Sequence, residues 1–348
     1  MTRTSHAPVP VDLVRRLEHL AVGAGVAACL QAAIKLGIPD AISTQPTTRE
    51  VIAKTVRAHP VAVGRLLRTL SSQGVFTQVD EGLFAHNELS QMLTEDAPFG
   101  LRHLVTWLGA AWTWEAWPQL DQAVRTGEAV VPRLYGKPFY QYLNEDAPES
   151  SAVFDKAMTA VSSLSSGRVV EAFDVTGIGT VVDVAGGQGH LLRTLLERYP
   201  DLHGVLFDLA GTVSEADRAL VDGELADRCR IVAGDCIKEM TVAAEMYILK
   251  NILDWPDDNS LSTLRNIAAA AKPGARVVVV DSIMDSDPLE MQVTSVIDLF
   301  MLLNVGGQRH TRRDFRELFE RAGFSLVRTA AITETFPTLH LVEAQVTS

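Results

Sequence analysis

Apolar residues recur at helical spacing from Val11 to about Ile42, and the run Leu36-Gly37-Ile38-Pro39 marks a stop. The first ten residues are polar and Pro-containing, and are expected to fray. In Thr47-Thr48-Arg49-Glu50 a Thr is followed three residues later by Glu, which predicts a capping box. A short helix, a turn at His59-Pro60 and a second helix through Leu70 come next. Gly74-Val75-Phe76 and Leu83-Phe84-Ala85 flank the turn Asp80-Glu81-Gly82 and predict a hairpin. Helix, helix and hairpin in that order make a winged-helix pattern.

Residues 105–170 have helical spacing and are rich in aromatics: Trp107, Trp112, Trp114, Trp117, Tyr135, Phe139, Tyr140 and Tyr142. Trp114 and Trp117 fall one turn apart, which suits either a core face or a substrate wall. At Gly177 the pattern changes. Val181-Val182-Asp183-Val184 reads as a buried strand, and a helix from His190 to Tyr199 follows it. Further strands are expected at Gly204–Asp208, Arg230–Val232, Glu245–Leu249 and Arg276–Asp281, with helices at Val213–Gly223 and Leu261–Ala271. Strand and helix alternating at this spacing predict an α/β, Rossmann-like, doubly wound parallel sheet.

Composition and charge narrow the partners. The most apolar early stretch, Ala21 to Leu36, is broken by Gly23, Gly25, Gln31 and Lys35. It falls short of the ~20 apolar residues of a membrane helix and reads as a buried helix. Cys29, Cys229 and Cys236 have neither metal-type spacing nor the makings of a disulfide framework, and point to a reducing cytoplasm. A net charge of −12 argues against nucleic acid or an anionic membrane as partner. Between Thr47 and Gln78 there are five Lys/Arg and one acidic residue, so DNA binding has to be weighed. The recognition-helix candidate Val61–Leu70 offers mainly Arg65 and Arg68, and a wing that pairs two subunits is the better expectation.

The candidate chemistry begins at Asp183-Val184-Ala185-Gly186-Gly187-Gln188-Gly189, where a strand turns into its helix. Gly186, Gly187 and Gly189 let the backbone bend sharply and approach a ligand closely. Asp208, 25 positions after Asp183, ends the second strand and can accept from both ribose hydroxyls. A glycine turn with no ligand remains the plain alternative, and dinucleotide enzymes share such a turn. Asp183 ahead of the glycines suits a ligand's amino-acid end better than a pyrophosphate. Asp235 after the third strand stands where an adenine amino group could donate. Acids at three neighbouring strand ends suit a cationic, phosphate-free nucleoside, S-adenosylmethionine.

These features resemble the plant-type and actinobacterial small-molecule O-methyltransferases, the group of the caffeate and anthracycline enzymes. The likeness runs nearly end to end. It covers the winged helical start, Arg125-Thr126-Gly127-Glu128, Phe154-Asp155-Lys156-Ala157-Met158, Asp183 to Gly189, Val232-Ala233-Gly234-Asp235 and Tyr247-Ile248-Leu249-Lys250. Ala271-Lys272-Pro273-Gly274 and Asp298-Leu299-Phe300-Met301-Leu302 extend it. The resemblance implies an N-terminal helical dimerisation domain over 1–105, linking helices along the substrate pocket over 106–170, and an S-adenosylmethionine-binding domain over 171–348. It also implies an intertwined homodimer, an aromatic or polycyclic acceptor and S-adenosylhomocysteine as product. Carried over by position, it implies cofactor contacts at Gly186, Asp208, Leu209, Asp235, Cys236 and Lys250. Cys236 stands where the family usually has a bulkier Phe or Met, so its contact with adenine is expected to be looser. Phe139, Tyr140, Met158 and Asn304 fall where the family lines its acceptor pocket, and Trp114 is a further candidate for that wall.

The family's catalytic pattern is not kept. Phenol-methylating members follow the fourth strand with Leu-Lys, three residues and His-Asp-Trp, the His taking the acceptor's proton. Here Leu249-Lys250-Asn251-Ile252-Leu253-Asp254-Trp255 puts Asp254 in that slot or leaves one residue missing. Asp281 replaces a Glu after the fifth strand, and Arg309 holds another Glu position. Three readings follow. Methyl transfer can run with little base help; Asp254 or His310 can serve as substitute base; or the fold can use bound S-adenosylmethionine for hydroxylation, decarboxylation or cyclisation. For Asp254 the plain alternative is a helix N-cap ahead of Pro256, and for His310 a polar loop residue.

Overall fold

The computed structural model describes residues 10–98, 100–335 and 338–347. The fraying expected of the first ten residues therefore concerns a segment, 1–9, outside the described residues. The chain forms two compact units, Met1–Ala110 and Ala111–Ser348.

In the first unit the apolar run breaks into the helices Val11–Ala21, Gly23–Lys35 and Ile38–Ala41, with a 44° bend between the first two. Only the later half of Ala21–Leu36 is buried, through Gln31, Ala33 and Ile34. Helix Val11–Ala21 buries nothing, and Leu13, Leu17 and Leu20 form an exposed apolar stripe one turn apart. The capping box expected from Thr47 forms differently. Thr47 belongs to strand β1 (Thr47–Thr48), and the helix Arg49–Thr55 is capped by Thr48, whose hydroxyl accepts the Val51 N–H at 3.4 Å. Glu50 instead pairs with Arg49 at 2.7 Å. After helix Pro60–Ser72, strands β2 (Thr77–Asp80) and β3 (Leu83–Ala85) complete a sheet of order β1-β3-β2. Val75 and Phe76, expected inside the hairpin, precede it and are buried in the core of this unit.

The second unit opens with the aromatic-rich helices Ala111–Ala116, Leu120–Thr126, Val131–Tyr135, Phe139–Asp146 and Pro148–Ala172. Five parallel strands follow: β4 (Thr180–Val184), β5 (His203–Asp208), β6 (Cys229–Ala233), β7 (Met246–Lys250) and β8 (Arg276–Asp281). Antiparallel β9 (Phe324–Ile332) and β10 (Leu339–Val346) extend the sheet to the order β6-β5-β4-β7-β8-β10-β9. Strand order reverses between β4 and β7, the crevice position at which such sheets take ligands. Alternate residues of the central strands enter two cores. Val182, Phe207, Leu249 and Val279 share one with helices Asp257–Ala270 and Arg312–Ala322; Val181, Leu206, Ile248 and Val280 share the other with helix His190–Arg198. Burial on both faces explains why these strands read as continuous apolar runs.

The single helix expected over Val213–Gly223 is two short ones, Ala210–Val213 and Arg218–Val221. Asp217 separates them: its carboxylate accepts the Ala219 N–H at 2.8 Å and pairs with Arg193 at 3.0 Å. On β10 the buried Glu343 accepts from Arg276 of β8 at 2.9 Å and from Arg328 of β9 at 2.7 Å, tying the antiparallel pair to the parallel sheet. Removing Glu343 takes the shared partner from Arg276 and Arg328, both partly solvated, so Glu343→Ala is expected to lower stability by about 1–3 kcal/mol. The midpoint of urea unfolding measures this, and an unshifted midpoint contradicts it.

Candidate active site

The turn after β4 is shaped by contact as much as by conformation. A β-carbon on Gly186 would lie 2.5 Å from Asp183 Cγ and 2.7 Å from Leu206 Cδ1, so only glycine fits over the Asp183 carboxyl. Gly189 ends the turn as the N-terminal cap residue of helix His190–Arg198. Gly187 donates its N–H to Asp208 Oδ2 at 2.8 Å, and Leu209 donates to Oδ1 at 2.6 Å. Each oxygen of Asp208 thus holds one amide and keeps a lone pair for a ligand hydroxyl. Burial raises the Asp208 pKa, and the two amides oppose that shift.

Asp183 is buried, and its Oδ2 has no hydrogen-bond partner. Burial pushes its carboxyl up to about 7, against the pull of Lys250. Lys250 ends β7, next to β4, and lies 3.5 Å from Ser162 Oγ of helix Pro148–Ala172. Burial lowers its ammonium to about 8, while Asp183 and Asp281 hold it charged. Ala185 and Asn251, the residues just after β4 and β7, both adopt positive φ (51° and 55°). Non-glycine residues are strained there, and the sharp turns open the crevice between the two strands.

Asp235 follows β6 beside Asp208; its carboxylate accepts the Ile237 N–H at 3.1 Å and meets Lys238 at 3.1 Å. Cys236 is turned into the core with Met240, Val242 and Leu261, and burial pushes its thiol up to about 11.

An aromatic cluster stands on the helices before β4. Trp112 packs on Phe139 at 5.1 Å and on Phe300 at 5.8 Å, and Trp117 packs on Phe300 at 5.8 Å. Tyr140 and Phe154 meet edge-on at 6.1 Å, with Met158 one turn beyond Phe154. Desolvation of the Tyr140 hydroxyl, and then the charge of Asp254, raise its pKa. Asn304, on helix Pro288–Val305, is buried with Oδ1 unpartnered. Trp114 is 38% exposed and makes none of these ring contacts; Trp112 on the same helix takes the inward place. The sequence reading missed Trp112, Phe154 and Phe300 as a group because they come from three helices with no common period.

The loop after β7 ends in a buried charge group. Asp254, 4% exposed, is not the N-cap of helix Asp257–Ala270, where Pro256 takes that position. Its Oδ2 lies 3.9 Å from Arg309 Nη2. Arg309 Nη1 donates to Asp281 Oδ1 at 2.7 Å and also contacts Ser282 Oγ, while the Arg309 N–H donates to Asp298 Oδ1 at 2.6 Å. Burial, and then the charge of Asp281, raise the Asp254 carboxyl to about 7, with Arg309 pulling it down. His310 is not brought into this group. Its ring, 3% exposed, packs on Phe315 at 5.1 Å and faces Asp257 at 3.5 Å.

A cleft with a glycine turn, a two-amide aspartate and a near-neutral carboxyl beside an aromatic wall suits transfer from a nucleoside to a flat acceptor. Comparison with known proteins agrees. Residues 117–325 match the O-methyltransferase domain family, and residues 18–96 match the O-methyltransferase dimerisation domain. The chain is 36% identical to the mitomycin biosynthesis 6-O-methyltransferase of Streptomyces lavendulae, over 88% of each chain. It superposes on the mitomycin 7-O-methyltransferase MmcR with a TM-score of 0.87 and 34% identity, covering 97% of this chain and 98% of that one. NcsB1, an O-methyltransferase from neocarzinostatin biosynthesis solved with S-adenosylhomocysteine and 1,4-dihydroxy-2-naphthoic acid, gives a TM-score of 0.78 and 29% identity over 98% of this chain and all of that one. The chain belongs to the O-methyltransferase family, enzymes whose methyl donor is S-adenosylmethionine.

Proposed function

We propose that this enzyme methylates a hydroxyl of an aromatic or polycyclic small molecule in secondary metabolism, with Asp254 as the base. The observation that carries the reading is the Asp208 carboxylate, fixed by two amides beside the glycine turn, with a near-neutral buried carboxyl at the acceptor end. Asp183, Gly186, Gly187, Gly189, Asp208, Leu209, Asp235 and Lys250 form the cofactor side, whereas the expected Cys236 side chain is turned into the core. The unpartnered Asp183 Oδ2 and the glycine over it fit a ligand's amino-acid end. Phe139, Tyr140, Met158 and Asn304, joined by Trp112, Phe154 and Phe300, form the acceptor side and favour a flat ring system.

Held by Asp208 and the glycine turn, S-adenosylmethionine would supply the methyl to the acceptor oxygen and leave as S-adenosylhomocysteine, and Asp254 would take the hydroxyl proton. Asp254 suits that role because a base works best with a pKa near the working pH, and burial brings a carboxylate there. The aromatic wall excludes water and fixes the ring of the acceptor, so that the oxygen is held in line. The matching NcsB1 structure, which holds a dihydroxynaphthoic acid, supports such an acceptor. The loss of the family His favours a second reading, use of the bound cofactor as a fixed positive charge for another reaction.

We further infer a homodimer, in which a second copy covers the apolar stripe of Leu13, Leu17 and Leu20. The matched dimerisation domain supports this.

Methyl transfer requires one S-adenosylhomocysteine per product, measured by chromatography over a panel of aromatic hydroxy compounds. Product with the cofactor returned unchanged assigns the second reading instead. Asp254→Asn is expected to slow methyl transfer about 10²–10⁴-fold, and an unchanged rate removes Asp254 as base. Asp208→Ala is expected to weaken S-adenosylhomocysteine binding by roughly 1–3 kcal/mol in calorimetry; unaltered affinity would place the nucleoside elsewhere. The double substitution Leu17→Asp and Leu20→Asp is expected to give a monomer by light scattering, whereas a persisting dimer would locate the interface elsewhere.

A further inference from the structure

The loop 306–310 and the loop 254–257 are in contact residue by residue. A β-carbon on Gly307 would fall 1.9 Å from the Asp254 carbonyl oxygen and 2.9 Å from the Trp255 carbonyl carbon, so the two backbones touch and only glycine fits. Gln308 donates to Asp257 Oδ1 at 3.1 Å, and Arg309 faces the Asp254 carboxylate. Three successive residues of one loop therefore fix the backbone, the far end and the side chain of the other.

Arg309 is itself held. Its Nη1 is committed to Asp281 and Ser282 at the end of β8, and its backbone N–H to Asp298 on helix Pro288–Val305. That anchoring leaves Nη2 at 3.9 Å from Asp254 Oδ2, beyond hydrogen-bond range. The distance matters chemically. At contact, the guanidinium would occupy the carboxylate's lone pairs and weaken it as a base. At this separation its charge still favours the ionised form without a hydrogen bond that occupies the carboxylate oxygen. The groups facing Asp254 are Arg309, Asp281 and Asp298, with Tyr140 from helix Phe139–Asp146 on the acceptor side.

We propose that Arg309, anchored by Asp281, is a positioning residue that holds its guanidinium charge beside the Asp254 carboxyl, 3.9 Å away, so that the base is ionised when the acceptor arrives. This rests on the reading of Asp254 as base, but it has its own measurement. Asp281 raises and Arg309 lowers the proton affinity of Asp254, so neutralising either one moves the titration in opposite directions.

The test is a carbon-13 NMR titration of aspartate carboxyls in the full-length enzyme, with the Asp254 signal assigned by its loss in Asp254→Asn. Arg309→Met is expected to move the Asp254 midpoint up by about one pH unit or more, and Arg309→Lys to return it part of the way. Asp281→Asn is expected to move it down. Charge removal alone moves these midpoints, so the deciding readout is the pH profile of single-turnover methyl transfer, whose limb follows the Asp254 midpoint in each variant; a limb that stays in place, or midpoints that are unmoved or move in the same direction, overturns the proposal. If Arg309→Met does not fold, the opposite shifts of Arg309→Lys and Asp281→Asn decide it in the same way. Failure of Asp254 as base is seen separately, as an undiminished methylation rate in Asp254→Asn with these shifts intact.

Discussion

Lys250 ends β7 with its ammonium buried, and two carboxylates on the neighbouring strands hold it charged: Asp183 on β4 and Asp281 on β8. This one cation joins both halves of the cleft. Asp183 belongs to the glycine turn and Asp208; Asp281 belongs to Arg309 and Asp254. Burying a charge is costly, and the charges of these two carboxylates offset part of that cost at Lys250. The parallel sheet places their carboxyl ends side by side at its switch point, and the loops that leave them carry the rest of the site.

The same desolvation that makes the arrangement costly makes it chemically useful. A carboxylate in water titrates at about 4 and is a poor acceptor for a phenolic proton at neutral pH. Burial raises Asp254 to about 7, where an imidazole would ordinarily titrate. In the proposed mechanism Asp254 is then a base of useful strength at the acceptor end, in a sequence that lacks the family's histidine. Arg309 opposes that rise and favours the ionised carboxylate. Arg309 stands where the family has a glutamate.

Much of this was legible in the sequence because it rests on local pattern. The winged start and the five parallel strands follow from periodicity, and Asp183, Gly186 and Asp208 from their places at strand ends. What was not legible depends on contacts between distant segments. The strands β9 and β10 come after the expected elements and are joined to the sheet by Glu343 and its two arginines. Spacing sets Trp114 one turn from Trp117 and so favours it, and only packing on Phe139 and Phe300 selects Trp112 as the inward ring. Asp254 reads as a cap because Pro256 follows it; the tertiary approach of Arg309 and Gly307 gives it another environment. His310 directly follows Arg309 in the chain, yet its ring turns to Phe315 and Asp257.

The most direct measurement is the pH dependence of single-turnover methyl transfer to an accepted aromatic hydroxyl compound, with the cofactor saturating. A base that must be ionised, with its pKa raised by burial, gives a rate that rises with pH through a midpoint near 7 and levels above it. That limb is expected in the native enzyme, and is expected to disappear in Asp254→Asn together with most of the rate. A rate flat across neutral pH, or the same limb persisting in Asp254→Asn, would contradict it.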